Sequence, residues 1–242
     1  MTTHHVVGHD GWMAARKKHL AKEKEFTRLR DQLSAERREL PWEGVEKEYT
    51  FEGANGRQSL AEIFEGRGQL VIYHAMFNPE TAGEHTSWTS EAACNACSFW
   101  LDNLNGIAVH LNHRDITIAA VSRATYPKIA AYKERMGWTF PWYSSVNSDF
   151  NFDYGVSFSP EELETGEVEY NYRLTQWSGT EAPGISVFIK EEEQIFHTYS
   201  TYKRGLDMLN VAYHYIDLVP KGRDEGDAGL GEWVHRRDEY PD

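Results

Sequence analysis

The chain has 242 residues, 40% of them apolar, with 8 Trp, 13 Tyr and 11 Phe, and a formal net charge of -13. That aromatic content excludes a disordered chain and is enough to bury a core without staples, while the charge argues against affinity for nucleic acid or for anionic membrane surfaces. No run approaches the roughly 20 apolar residues of a membrane span, and the opening MTTHHVVGHDGW lacks the apolar core of a signal peptide, so no membrane partner is expected and the expected compartment is the cytoplasm.

Trp12 to Leu40 is predicted to form one long helix, rich in Ala, Lys, Glu, Arg and Leu and free of Gly and Pro. Phe26, Leu29, Leu33 and Leu40 give it a narrow apolar stripe, which suits a body or a second copy of the chain, so a homodimer through this helix is a candidate. Nine basic residues against five acidic ones between Arg16 and Glu39 read as a solvated helix face rather than a nucleic-acid arm. Pro41 ends the helix. EYTFEGANGRQSLAEIF then predicts a short hairpin about the GANG turn and a short helix from Ser59.

LVIYHAM (70–76) is a continuous β-prone apolar run, the mark of a buried strand. A loop follows, then a helix opening around Cys94 and Cys97. ITIAAVS (116–122) is a second buried strand, and YPKIAAYKERMGW an amphipathic helix with Pro127 near its start and Gly137 near its end. Thr139 to Pro183 reads as a long irregular stretch. ISVFIK and IFHTYS are two strands about the turn EEEQ, and a last helix runs from about Tyr202 to Tyr215. The core order is β-α-β-α-β-β-α. The expected organisation is an N-terminal helical extension over 1–45, an α/β domain over 46–220 with an insertion at about 139–184, and a C-terminal tail over 221–242.

Cys94 and Cys97 are the only cysteines of the chain, two residues apart at the handover from strand to helix. A helix start offers unpaired N–H groups that stabilise a thiolate. Cys94, nearer that start, is the candidate nucleophile. Cys97, one turn deeper, is the candidate resolving residue. Dithiol chemistry of this kind requires no cofactor and no metal, and its substrate would be a small-molecule or protein disulfide. The same spacing also serves copper(I) or zinc. The missing ligands would then be histidines, among them His74, His85, His110 and His113.

EKEFTRLRDQLSAERRELPW, QLVIYHAMF, CNACSFWLDNLNGIAVHLNHRDITIAAVSRA, YKERMGWTFPWYSS and IFHTYSTYKRGLD resemble the bacterial thioredoxin-like family known as domain of unknown function 899. The resemblance runs from about Trp12 to Tyr240. It implies a thioredoxin-like α/β fold with a central mixed sheet, and a dithiol-disulfide oxidoreductase working through Cys94 and Cys97. Two departures stand out. The loop 78–93 is longer than in family members and brings His85 and Trp88 towards the thiols. Pro183, the nearest counterpart of the thioredoxin cis-proline, lies about two residues ahead of the expected third strand.

Other residues divide between site and core. Tyr73 and His74 end the first strand, at the functional edge of an open α/β sheet, though core packing explains them as well. Trp100 reads as core. Arg123 is a candidate partner for a thiolate or an anion, or for a surface carboxylate. His197 alternates with Phe196 along its strand. NSDFNFDYGVSF (147–158) reads as a structured insertion.

Overall fold

A computed structural model describes residues 4–78, 88–226 and 229–241. The chain divides into two compact units, Met1–Pro41 and Trp42–Asp242.

The first unit is a single helix, α1 (His9–Arg38), starting three residues before the predicted Trp12. Asp10 in its first turn and Arg37 and Arg38 in its last complement the helix dipole. None of its residues is buried, and Phe26, Leu29 and Leu33 are each about half exposed or more.

The second unit contains β1 (Glu43–Gly44), the hairpin β2 (Thr50–Gly53) and β3 (Gly56–Ser59), then β4 (Gln69–His74). The helix predicted from Ser59 is one 3-10 turn, Glu62–Phe64. Among the described residues two helices follow β4, α2 (Asn95–Leu101) and α3 (Leu104–Asn112), before β5 (Ile116–Ser122). Next come α4 (Tyr126–Met136), β6 (Trp142–Ser144), α5 (Phe150–Asp153), α6 (Pro160–Glu164), β7 (Glu167–Glu169) and β8 (Leu174–Gln176). The chain continues through β9 (Gly184–Glu191), β10 (Gln194–Tyr202), a 3-10 stretch over Lys203–Leu209 and α7 (Val211–Ile216). Gly137 ends α4 at φ 62°, a left-handed cap that suits glycine. Asn210 breaks the predicted last helix, its side chain accepting from Ala212 and Tyr213 N–H to open α7.

The main sheet has the order β1-β10-β9-β4-β5-β6-β2-β3. β4 and β5 are parallel, β9 is antiparallel to β4, and β10 antiparallel to β9. That core is a thioredoxin-like mixed sheet. β6, parallel to β5, corrects the reading of 139–183 as irregular. At three residues it is too short to show a period of two, and it is held by burial of Trp142, Tyr143 and Ser144.

Alternation along β4 sorts the core into two faces. Leu70, Ile72 and His74 point one way, and Leu70 and Ile72 pack with Phe51, Phe150 and Phe188. Tyr73 points the other way, into the cluster holding Cys94, Cys97, Trp100, Tyr132 and Trp142. The cysteines therefore sit at the carboxyl end of β4, under α2, on the Tyr73 face.

Candidate functional site

Met76, two residues beyond β4, fixes the cysteines through its backbone. Its carbonyl accepts from the Cys94 N–H at 3.0 Å, and its N–H donates to Cys97 Sγ at 3.4 Å. Cys94 is the N-cap of α2, and its carbonyl accepts from the Ser98 N–H at 2.9 Å and the Ser98 hydroxyl at 2.8 Å. Asn95 accepts from the Ala96 N–H through Oδ1 at 3.0 Å and lies 3.8 Å from Cys94 Sγ. Neither cysteine is in a disulfide, and both are 1% exposed.

Cys97 is in hydrogen-bond contact with both Cys94 and Tyr73. Burial, then the hydrogen bond to Cys94, pushes the Cys97 thiol well above its ordinary pKa, while the Met76 N–H and the Tyr73 hydroxyl pull the other way. Tyr73 O–H donates to Cys97, and the Cys94 thiol faces Asn95 Oδ1. The raised pKa keeps Cys97 protonated at neutral pH.

The chain matches the model of the family "Bacterial protein of unknown function (DUF899)" over residues 1–240. It belongs to that family. A comparison with curated proteins finds no match. Several solved structures are similar to this DUF899 chain. One is the Xanthomonas campestris bacterioferritin comigratory protein, described in work on its alkyl peroxide reduction activity: 12% identity, 68% of this chain and 87% of that one, TM-score 0.44. Another is peroxidoxin BcpB from Mycobacterium tuberculosis, with 11% identity over 67% of this chain and 85% of that one, TM-score 0.44. Reduced 2-Cys peroxiredoxin from Plasmodium vivax has 10% identity over 73% and 94%, TM-score 0.42. At these levels the likeness transfers no residue role and no activity to the DUF899 chain.

The other predicted residues are dispersed. His74 lies on the far face of the sheet, bonded to Ser186 Oγ at 2.9 Å and stacked on Phe150. Burial, first, and the neighbouring His197 lower its pKa to about 3. His197 bonds Ser200 Oγ at 2.7 Å and faces Glu43 at 3.3 Å. His110 and His113 are exposed at the end of α3, which leads into the start of β5 and so lies at the opposite edge of the sheet. His85 falls outside the described residues. Among the described residues no group of three His, Cys, Asp or Glu is placed to hold a metal ion. Trp88 is buried in the cysteine cluster. Trp100 is core, its indole N–H donating to the Leu206 carbonyl at 2.9 Å. Pro183 directly precedes β9, closer than the sequence suggested, and no peptide among the described residues is cis.

Arg123 does not serve the thiols. Its Nη1 lies 3.4 Å from the buried Glu181, and its guanidinium sits 4.6 Å from the centre of the Phe152 ring. Glu181 also accepts from the Ser157 hydroxyl at 2.7 Å and the Asn78 amide at 3.1 Å. Burial still raises its pKa to about 7, against the pull of those three partners.

Two contributions escaped the sequence reading. Tyr73 was as easily core as site, and its hydroxyl reaches Cys97. The stretch read as tail packs on the cysteine loop instead. Val234 and Arg236 are buried. Arg236 donates to the Ala93 carbonyl from Nε at 2.9 Å and from Nη2 at 2.7 Å, and Asn95 donates to the Val234 carbonyl at 2.6 Å. No periodicity announces such a strap. Arg236→Ala should lower stability by about 2 kcal/mol, because two charged hydrogen bonds go and a buried carbonyl loses both donors. Urea unfolding measures this, and a midpoint equal to wild type would show that the strap is idle.

Proposed function

We propose that the protein is a thioredoxin-like thiol-disulfide oxidoreductase in which Cys94 is the nucleophile and Cys97 the resolving residue. The observation that carries this reading is the contact between the two thiols, with Cys94 at the N-cap of α2 and the Cys97 thiol held protonated by burial. The Cys94 thiolate attacks one sulfur of a disulfide R–S–S–R′. A Cys94–S–S–R bond forms, the substrate S–S bond breaks, and R′S⁻ leaves to take up a proton. Cys97 then gives up its proton, and its thiolate attacks Cys94 Sγ. RS⁻ is released and the Cys94–Cys97 disulfide closes. Two electrons pass from the protein dithiol to the substrate, and an external thiol must restore them. The substrate is a small-molecule or protein disulfide, and the reducing cytoplasm is where such a pair is kept as thiols.

Equilibration in graded mixtures of reduced and oxidised dithiothreitol, followed by alkylation and mass measurement, tests the reading. A single two-electron transition linking Cys94 to Cys97 is expected. A pair that never closes would dispose of it.

Resolution is the step in which Tyr73 acts. Tyr73→Phe removes a donor from the Cys97 sulfur and so raises the Cys97 pKa further. The quenched mixed disulfide should then persist about tenfold longer, the cost of roughly one hydrogen bond to a charged group. An unchanged lifetime would make Tyr73 a packing residue only.

The same reading gives the exposed stripe Phe26, Leu29 and Leu33 of α1 to a second copy of the chain. Light scattering on protein lacking residues 1–40 should show the mass of a single chain where the full chain shows two. A full chain of monomer mass removes this assignment.

A further inference from the structure

Cys97 opens onto a cavity of about 330 Å³, at the small end of ligand pockets, which run to ~300–1,000 Å³. Among the described residues its walls include Tyr73, Met76, Trp100, Pro183 and Leu206. The surface they present is carbon. The polar edge of Trp100 is already spent on the Leu206 carbonyl, and Leu230 adds another aliphatic side. Three charged residues complete the lining, Lys203, Arg204 and Asp207. Two of them neutralise each other: Arg204 Nε lies 2.6 Å from Asp207, which Arg223 also holds at 2.8 Å. Lys203 is different. Its ammonium lies 5.2 Å from the centre of the Tyr170 ring, and among the described residues no carboxylate pairs with it. Burial lowers its pKa, and the charge of Arg173 adds to that. An anion beside it would relieve both effects.

We propose that this cavity is the substrate site and that it takes a small disulfide with an apolar body, a short chain or a single ring, and one carboxylate paired with Lys203. This rests on the dithiol reading of Cys94 and Cys97 and narrows its substrate. A carbon-lined wall gains from burying the apolar body. The unpaired ammonium rewards a single negative charge and penalises a cation. The cavity presents Cys97, with Cys94 in contact behind it; whichever sulfur attacks, the substrate S–S bond breaks, two substrate thiols leave, and the Cys94–Cys97 bond forms.

Binding and turnover separate this inference from the reading beneath it. Octanoate copies the chain and the charge and has no reducible bond. By calorimetry it should bind about tenfold more tightly than octanamide, and Lys203→Met should bring that ratio to about one. In turnover, lipoate should likewise outrun lipoamide by about tenfold in kcat/KM, and Leu230→Trp, which fills the cavity from its edge, should reduce lipoate turnover at least tenfold. Its Cys94–Cys97 couple with dithiothreitol should keep the wild-type midpoint, which shows that the variant is folded. Equal binding of octanoate and octanamide, or a ratio indifferent to Lys203→Met, overturns the cavity assignment while the dithiol reading stands. A wild-type pair that does not cycle with dithiothreitol overturns both.

Discussion

Cys94→Ser should reduce disulfide turnover on the order of a thousandfold or more, since loss of a nucleophile leaves only binding and surrounding polarity. Cys97→Ser should behave differently. The attack still takes place, and one equivalent of substrate thiol is released in a burst. The protein then stops as a mixed disulfide on Cys94, which mass measurement reads directly. The two variants test the order of the roles, and the geometry makes the test pointed. The 330 Å³ cavity is lined by Cys97, whereas the sulfur at the N-cap of α2 is that of Cys94. If Cys94→Ser is the variant that accumulates the adduct, access outweighs thiolate stability and the roles are exchanged. A pH profile adds a second check. Resolution needs the Cys97 thiolate, and its pKa is raised, so decay of the mixed disulfide should still be accelerating with pH beyond the ordinary thiol value of about 8.5.

Glu181 should give this protein a pH-dependent stability that Glu181→Gln removes. Burial raises its carboxyl from the ordinary 4.5 to about 7. Between those values the folded protein binds the proton and the unfolded chain does not. The contribution is therefore fully present below about pH 4.5 and is lost as pH rises through about 7. Two to three pKa units correspond to about 3 kcal/mol. For a unit of this size that is roughly 6–12 °C in melting temperature. Between pH 4.5 and 8, then, wild type should lose that much relative to Glu181→Gln, which keeps the shape and the bonds to Ser157 and Asn78 but cannot ionise. Melting curves that run parallel across the range would mean that Arg123 holds Glu181 ionised throughout, with its pKa near the ordinary value.

The strands with continuous apolar runs were legible. Ile116–Ser122 forms as read, and β4, β9 and β10 fall within a few residues of their signals, because buried strands need unbroken β-prone runs. The position of Cys94 and Cys97 at a helix start was legible for the same reason, being fixed by the strand before and the helix after. What escaped was long-range. β6 is held by neighbours on either side rather than by its own pattern. Tyr73 and His74 are adjacent in the chain but point to opposite faces, and only pairing in the sheet decides which one meets the thiols. Glu181 had no local mark at all, since its partners Asn78, Arg123 and Ser157 come from three other segments. Arg236 reads as part of a charged tail until its bonds to Ala93 are seen.

The Arg236 strap also sets an order of events during synthesis. Ala93 and Asn95 leave the ribosome some 140 residues ahead of the segment that bonds them, and translation adds about 5–20 residues per second. The last strand of the sheet is complete at Tyr202, so for a few seconds the sheet, α2 and both sulfurs exist without their final cover. Proteins truncated ahead of Val234 and Arg236 should carry thiols that react with alkylating agents faster than those of the full chain.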